Sequence, residues 1–121
     1  WLAWHPTSHD RQVTPETIQK FLTVQPWDKN ARLYYIWGHS YEFDREGGWE
    51  AMEGLCQNLR EQGGGKIWAA TNGMIRDYAA AVTSLRFGST GQVVVNPSAL
   101  DVWIGADNSA LRVPAGSQLS L

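Results

Sequence analysis

The sequence predicts an α/β domain built from parallel strand–helix units and finished by a β-rich tail. Three observations predict it. Short apolar runs alternate with segments of helical periodicity over residues 1–87. Glycine and proline punctuate the boundaries between them. From residue 88 onward the helical pattern gives way to short β-like runs separated by turn residues. The whole chain, 1–121, is expected to be one α/β domain portion, with βα units over 1–87 and the tail over 88–121.

Residues 1–13 have the character of a strand end running into a polar loop. Thr14-Pro15-Glu16 is a helix start: a capping hydroxyl, a proline suited to the first turn, and an acid at the positive end of the dipole. Ile18, Phe21 and Leu22 recur at helical spacing, extending that helix to about Val24 before Pro26 stops it. Leu33-Tyr34-Tyr35-Ile36-Trp37 is a continuous apolar run between Arg32 and Gly38, as in a strand covered on both faces. Residues 38–48 are expected to be a loop. A second helix, from about Trp49 to Gln62, puts Trp49, Met52, Leu55, Cys56 and Leu59 on one face and ends at Gly63-Gly64-Gly65. Lys66-Ile67-Trp68-Ala69-Ala70 is expected to be another buried strand. Met74, Ile75, Tyr78, Val82 and Leu85 then mark a third helix. In the tail, 92–96, 100–105 and 110–114 are the β-like runs.

Composition narrows the function. Apolar residues make up 43% and charged residues 18% of the 121, with a net charge of −2. That balance argues against a disordered tail, a nucleic-acid binder or a polybasic membrane-surface protein. No apolar run approaches the ~20 residues of a membrane span, and no signal peptide is recognisable. The lone Cys56 has no internal disulfide partner. From its opening on Trp1 rather than Met, the chain is expected to be processed, cut or truncated. Seven tryptophans in so short a chain are the compositional outlier. They either pack a core or offer flat platforms for sugar rings.

In parallel α/β architectures ligands gather where strands end. The three histidines of the chain all lie in two such junctions, 4–10 and 38–44. His39 follows a strand and a glycine, a position for a general acid or base; Glu42 or Asp44 is placed to orient its ring. The alternative is an imidazole that merely hydrogen-bonds the loop backbone. His5 and His9 have the i, i+4 spacing of a helical metal pair, with Asp10 adjacent, but Pro6 between them disfavours a helix. Ser40 beside His39 lacks the turn motif of a catalytic serine, and Gly63–Gly65 follows a helix, so it is no phosphate cradle.

Tyr34-Tyr35-Ile36-Trp37-Gly38-His39-Ser40-Tyr41-Glu42-Phe43, followed by Trp49-Glu50, resembles the late catalytic segment of bacterial polysaccharide deacetylases. Ile67-Trp68-Ala69-Ala70-Thr71-Asn72 and Asn96-Pro97-Ser98-Ala99-Leu100-Asp101-Val102-Trp103-Ile104 resemble downstream segments of the same carbohydrate esterases, those with the chitooligosaccharide deacetylase homology domain. The resemblance spans most of 1–105. It implies a partial (β/α) barrel of the deacetylase type and hydrolytic removal of acetyl groups from N-acetylated polysaccharide. It also implies a divalent metal (zinc or similar) held by one Asp and two His, with a neighbouring Asp as base.

His39 aligns with the late histidine that protonates the leaving amine. Trp37 and Tyr41 would lie near the acetyl pocket, Trp4 and Asn72 would contact substrate, and His5, His9 and Asp10 would form the rim. The family's Asp-Asp segment has no match in this chain, and His5-x-x-x-His9 has the spacing of the metal pair at the wrong place in the order. The chain is therefore expected to be the C-terminal half of such a domain, with its metal ligands upstream. It should pair with the missing N-terminal half or with a second copy of itself. Resemblance alone favours a cell-envelope or secreted location. A non-catalytic carbohydrate-binding or scaffold module that keeps the fold remnant is the alternative.

Overall fold

The computed structural model describes residues 4–23, 31–45, 48–106 and 109–121. Trp1, Trp27, the expected helix end at Val24 and Pro26, and the turn residues Asp107-Asn108 lie outside the described residues. The chain forms two compact units, Trp1–Trp68 and Ala69–Leu121. Both mix helix and strand; the sheets have two or three strands, and among the described residues none closes into a barrel.

In the first unit, β1 (Ser8–His9) pairs in parallel with β2 (Ile36–Trp37), setting Ser8 against Ile36 and His9 against Trp37. The backbone N–H of Thr7 donates to the Tyr35 carbonyl at 2.7 Å, and the Thr7 hydroxyl accepts from the Tyr35 N–H at 3.0 Å. These bonds fix the register just ahead of the short ladder. One turn of 3-10 helix follows β1 over Asp10–Gln12. Helix α1 (Pro15–Leu22) starts as its sequence dictates: the Thr14 hydroxyl accepts from the Thr17 N–H at 3.3 Å, and the Thr17 hydroxyl accepts from the Thr14 N–H at 2.9 Å.

A short helix α2 (Ser40–Arg45) follows β2, and α3 (Glu50–Gly63) ends at Gly64, whose φ of +50° is a left-handed cap that favours glycine. Helices α1 and α3 pack together, with Ile18 fully buried and the Gln19 amide donating to the Gln62 side chain at 3.0 Å.

In the second unit, α4 (Asn72–Ser84) is capped by Thr71, whose hydroxyl accepts from the Met74 N–H at 3.3 Å. Strands β3 (Arg86–Phe87), β4 (Val93–Val95) and β7 (Gln118–Ser120) form an antiparallel sheet with β4 in the middle. Strands β5 (Val102–Ala106) and β6 (Ser109–Val113) form an antiparallel pair against which α4 packs, the Trp103 N–H donating to the Tyr78 hydroxyl at 3.1 Å. The core here is Ala81, Val94, Val102 and Val113 around the buried Asn96.

Several elements differ from expectation. Segment 40–45 is helical instead of looped, because the turn closed by the Glu42 N–H on the His39 carbonyl at 3.0 Å continues for a few residues. The apolar run 66–70 carries no strand pairing and none of its residues is buried; apolar character alone supplies neither a covering layer nor a ladder partner. Cys56 is exposed, and so are Trp37, Trp49, Trp68 and Trp103, so the described core is made of Ile, Val and Ala and not of tryptophan.

Candidate functional site

The parallel pairing of β1 and β2 brings residues some thirty positions apart into one cluster. Register sets His9 beside Trp37, and their rings meet edge to face at 4.7 Å. Two residues past Trp37 the chain reaches His39, whose ring lies 5.6 Å from Trp37 and stacks on Tyr41 at 5.0 Å. Helix α2 then returns the Glu42 carboxylate over both histidines: Oε1 lies 3.4 Å from His39 Nδ1, and Oε2 lies 3.5 Å from His9 Nε2. One ligand atom from each of His9, His39 and Glu42 lies within 4.8 Å of the others.

Beneath them sits Asp10, whose side chain is only 5% exposed. Its Oδ1 is 2.5 Å from His9 Nδ1 and accepts the Arg11 backbone N–H at 2.8 Å. Nδ1 of His9 also accepts the Arg11 backbone N–H at 3.4 Å, and it is Nε2 that faces Glu42. The Arg11 guanidinium stands 3.7 Å from Glu42 Oε2. That oxygen is buried and has no hydrogen-bond partner among the described residues. Gly38 allows this packing. A Cβ at that position would lie 2.7 Å from Asp10 Cγ, so any side chain would displace the carboxylate.

Exposure rises from Asp10 outward. His9 and Glu42 are about one-fifth exposed, and the His39 side chain is 47% exposed at the mouth. Trp37 and Tyr41 stand exposed on either side of it, with the Arg45 guanidinium 5.3 Å from the Tyr41 ring. A shallow open pocket of about 130 Å³ lined by Arg11, Glu42, Phe43 and Ala51 adjoins the carboxylate.

Of the residues named from sequence, His9, Asp10, Trp37, His39 and Tyr41 come together here. His5 is exposed and lies outside the cluster, and Trp4 is half-buried with no ring contact to it among the described residues. Asn72 belongs to the second unit as the first residue of α4, whereas the cluster is built from the first unit alone. His5 and His9 are thus not assembled as the two-histidine metal pair that the resemblance implies, and the described residues do not fit that ligand set. Asp44, the other candidate to orient His39, instead accepts a hydrogen bond from the Trp49 indole at 3.1 Å. Glu42 has the larger part in the site. Its signal in the sequence was the i, i+3 spacing from His39, which has meaning only once 40–45 is helical.

No family model, curated protein or solved structure matches the chain. Among the described residues no helix is long and apolar enough to cross a membrane.

Proposed function

We propose that this chain contributes the proton-transferring histidine of a metal-dependent hydrolase that deacetylates N-acetylated polysaccharide. The observation that carries the reading is the setting of His39: an exposed imidazole, Nδ1 3.4 Å from Glu42 Oε1, between the rings of Trp37 and Tyr41. In amide hydrolysis the tetrahedral intermediate collapses as its C–N bond breaks, and the departing nitrogen must take a proton. An imidazolium at the site mouth supplies it, and the Glu42 carboxylate lies beside the ring. Exposed aromatic planes suit the C–H faces of a pyranose. The partial deacetylase-type barrel belongs to the same proposal, as does a covering partner, either a further polypeptide segment or a second copy. Exposed Trp49 supports a covering partner of either kind.

In the protein as it is produced, His39→Ala abolishes acetate release from N-acetylated chitooligosaccharide while oligosaccharide binding is retained. Deacetylation that survives this substitution rules His39 out. The exposed Trp37 and Tyr41 also favour a second reading, a carbohydrate-binding module without turnover. Under that reading the wild-type protein releases no acetate, yet its oligosaccharide affinity falls on Trp37→Ala.

A further inference from the structure

We propose that His9, His39 and Glu42 form a divalent-cation site of the zinc type, supported from beneath by Asp10. This site stands on its own residues and does not depend on the deacetylase reading. Its donor set, two imidazoles and a glutamate drawn from both sides of a parallel ladder, also differs from the ligand set the resemblance implies.

The spacing is the first argument. Hydrogen bonds from nitrogen to oxygen fall at about 2.7–3.2 Å, whereas the two histidine–carboxylate separations are 3.4 and 3.5 Å. Metal–ligand bonds of about 2.0–2.2 Å at tetrahedral angles put neighbouring donor atoms roughly 3.3–3.5 Å apart. Each imidazole therefore faces one oxygen of Glu42 at a separation closer to that of two donors to one ion than to a good hydrogen bond, and one donor atom from each of the three residues lies within 4.8 Å of the others.

The unpartnered carboxylate oxygen is the second argument. His9 Nε2 faces Glu42 Oε2 at 3.5 Å with no hydrogen bond to it. Glu42 Oε2 is buried and accepts no hydrogen bond among the described residues, and the Arg11 guanidinium at 3.7 Å compensates only from a distance. A buried carboxylate oxygen without a donor is costly, and a cation removes the cost.

Asp10 is the third argument. A carboxylate bound to the far nitrogen of a ligating histidine fixes its tautomer and raises its basicity, and such support is a regular companion of metal-binding histidines. Asp10 is itself buried and pinned by the Arg11 N–H. Two nitrogens and a carboxylate suit zinc and its neighbours in the first transition row, not calcium or magnesium, which take all-oxygen shells. Three protein ligands leave a fourth position for water or an incoming group.

An ion here takes a nitrogen of the same imidazole that would move a proton. The ion-loaded and ion-free forms are therefore different chemical states of His39.

Calorimetric titration of the full chain with zinc chloride, paired with the visible absorption of the cobalt(II) form, tests the site without any substrate. Wild type binds one equivalent, and the cobalt form shows tetrahedral d–d bands. His39→Ala and Glu42→Gln, both at or near the surface, each weaken zinc at least tenfold and abolish the bands; Asp10→Asn weakens it by roughly tenfold to a hundredfold. His5→Ala changes nothing. Circular dichroism of each variant confirms that it is folded. Absence of binding by wild type at millimolar zinc overturns the proposal. So does binding that folded His39→Ala and Glu42→Gln retain, or that His5→Ala removes. Because acetate release plays no part in the readout, failure here leaves the hydrolase reading to its own test.

Discussion

Nδ1 of His9 lies 2.5 Å from Oδ1 of Asp10, its immediate neighbour in the chain. Successive residues of a strand point to opposite faces, so two neighbours meet this way only where the strand stops. Here β1 ends at His9 and the 3-10 turn begins at Asp10, which swings the carboxylate back under the imidazole. Oδ1 thereby accepts the Arg11 backbone N–H while lying against the His9 ring, whose Nδ1 accepts the same N–H at 3.4 Å.

Replacing Asp10 by alanine removes a buried carboxylate that accepts the Arg11 N–H and lies against the His9 ring. The expected loss is about 1–3 kcal/mol of stability, read by urea denaturation. Asp10→Asn keeps an acceptor for Arg11 and loses less stability. A loss on Asp10→Ala no greater than that of an exposed aspartate would show that the contact is incidental.

Gly38→Ala tests the same pair from the other strand. The new methyl group would sit 2.7 Å from Asp10 Cγ and 2.8 Å from Oδ2, and Asp10 is short, buried and unable to swing away. Overpacking of this kind costs typically 1–3 kcal/mol. The displaced carboxylate should also alter the His9 ring resonances in a proton–nitrogen spectrum. Unchanged His9 shifts in a folded Gly38→Ala protein would contradict the close approach.

How much of this could be read from the chain alone depends on whether the cause was local. The start of α1 is local: Thr14, Pro15 and Thr17 carry their own cap. The end of α3 is local too, because Gly64 adopts the left-handed conformation next to it. Helix α2 is local but too brief, at six residues, for periodicity to register. Strand β7 is not local: Gln118–Ser120 has little strand character of its own and is a strand because β4 lies beside it. The site divides the same way. His5 and His9 look paired because they are near in sequence, but the ladder pairs His9 with the segment that leads to His39, a relation only register reveals. Glu42 was legible as a possible companion of His39, and not as a companion of His9.

The second unit offers a pH-dependent prediction. The Ala115 backbone N–H, donating to Asp101 Oδ1 at 2.9 Å, holds this carboxyl below its ordinary value, and the Arg112 guanidinium adds to the effect. A carboxyl depressed on folding contributes stability that is present above its unfolded value near 3.9 and disappears as pH falls through the lower folded value. Asp101→Asn should therefore narrow the stability difference between neutral and strongly acid solution relative to wild type. Parallel pH–stability curves for the two proteins over the acid range would refute the assignment.

Asn96 carries the sharpest stability prediction, because it is fully buried and fully used. Its amide nitrogen donates to the carbonyls of Leu100, Val113 and Pro114 at 2.8, 3.0 and 3.1 Å, while its side-chain oxygen accepts from the Ser98 N–H at 3.0 Å and the Ser98 hydroxyl at 2.7 Å. One side chain thus joins the end of β4 to the end of β6 and shapes the turn that leads into β5. Asn96→Ala removes all of these bonds and leaves several backbone groups without partners inside the core, so a loss of about 2–4 kcal/mol is expected. Asn96→Asp preserves the shape and the acceptor, but it sets a carboxylate against three carbonyl oxygens and gives up their donor. It should be at least as damaging at neutral pH and should recover part of the loss in acid, where the protonated acid can donate once more. Thermal melts of the two variants at neutral and acid pH separate this account from a simple cavity, since a cavity gives Asn96→Asp no reason to improve on acidification.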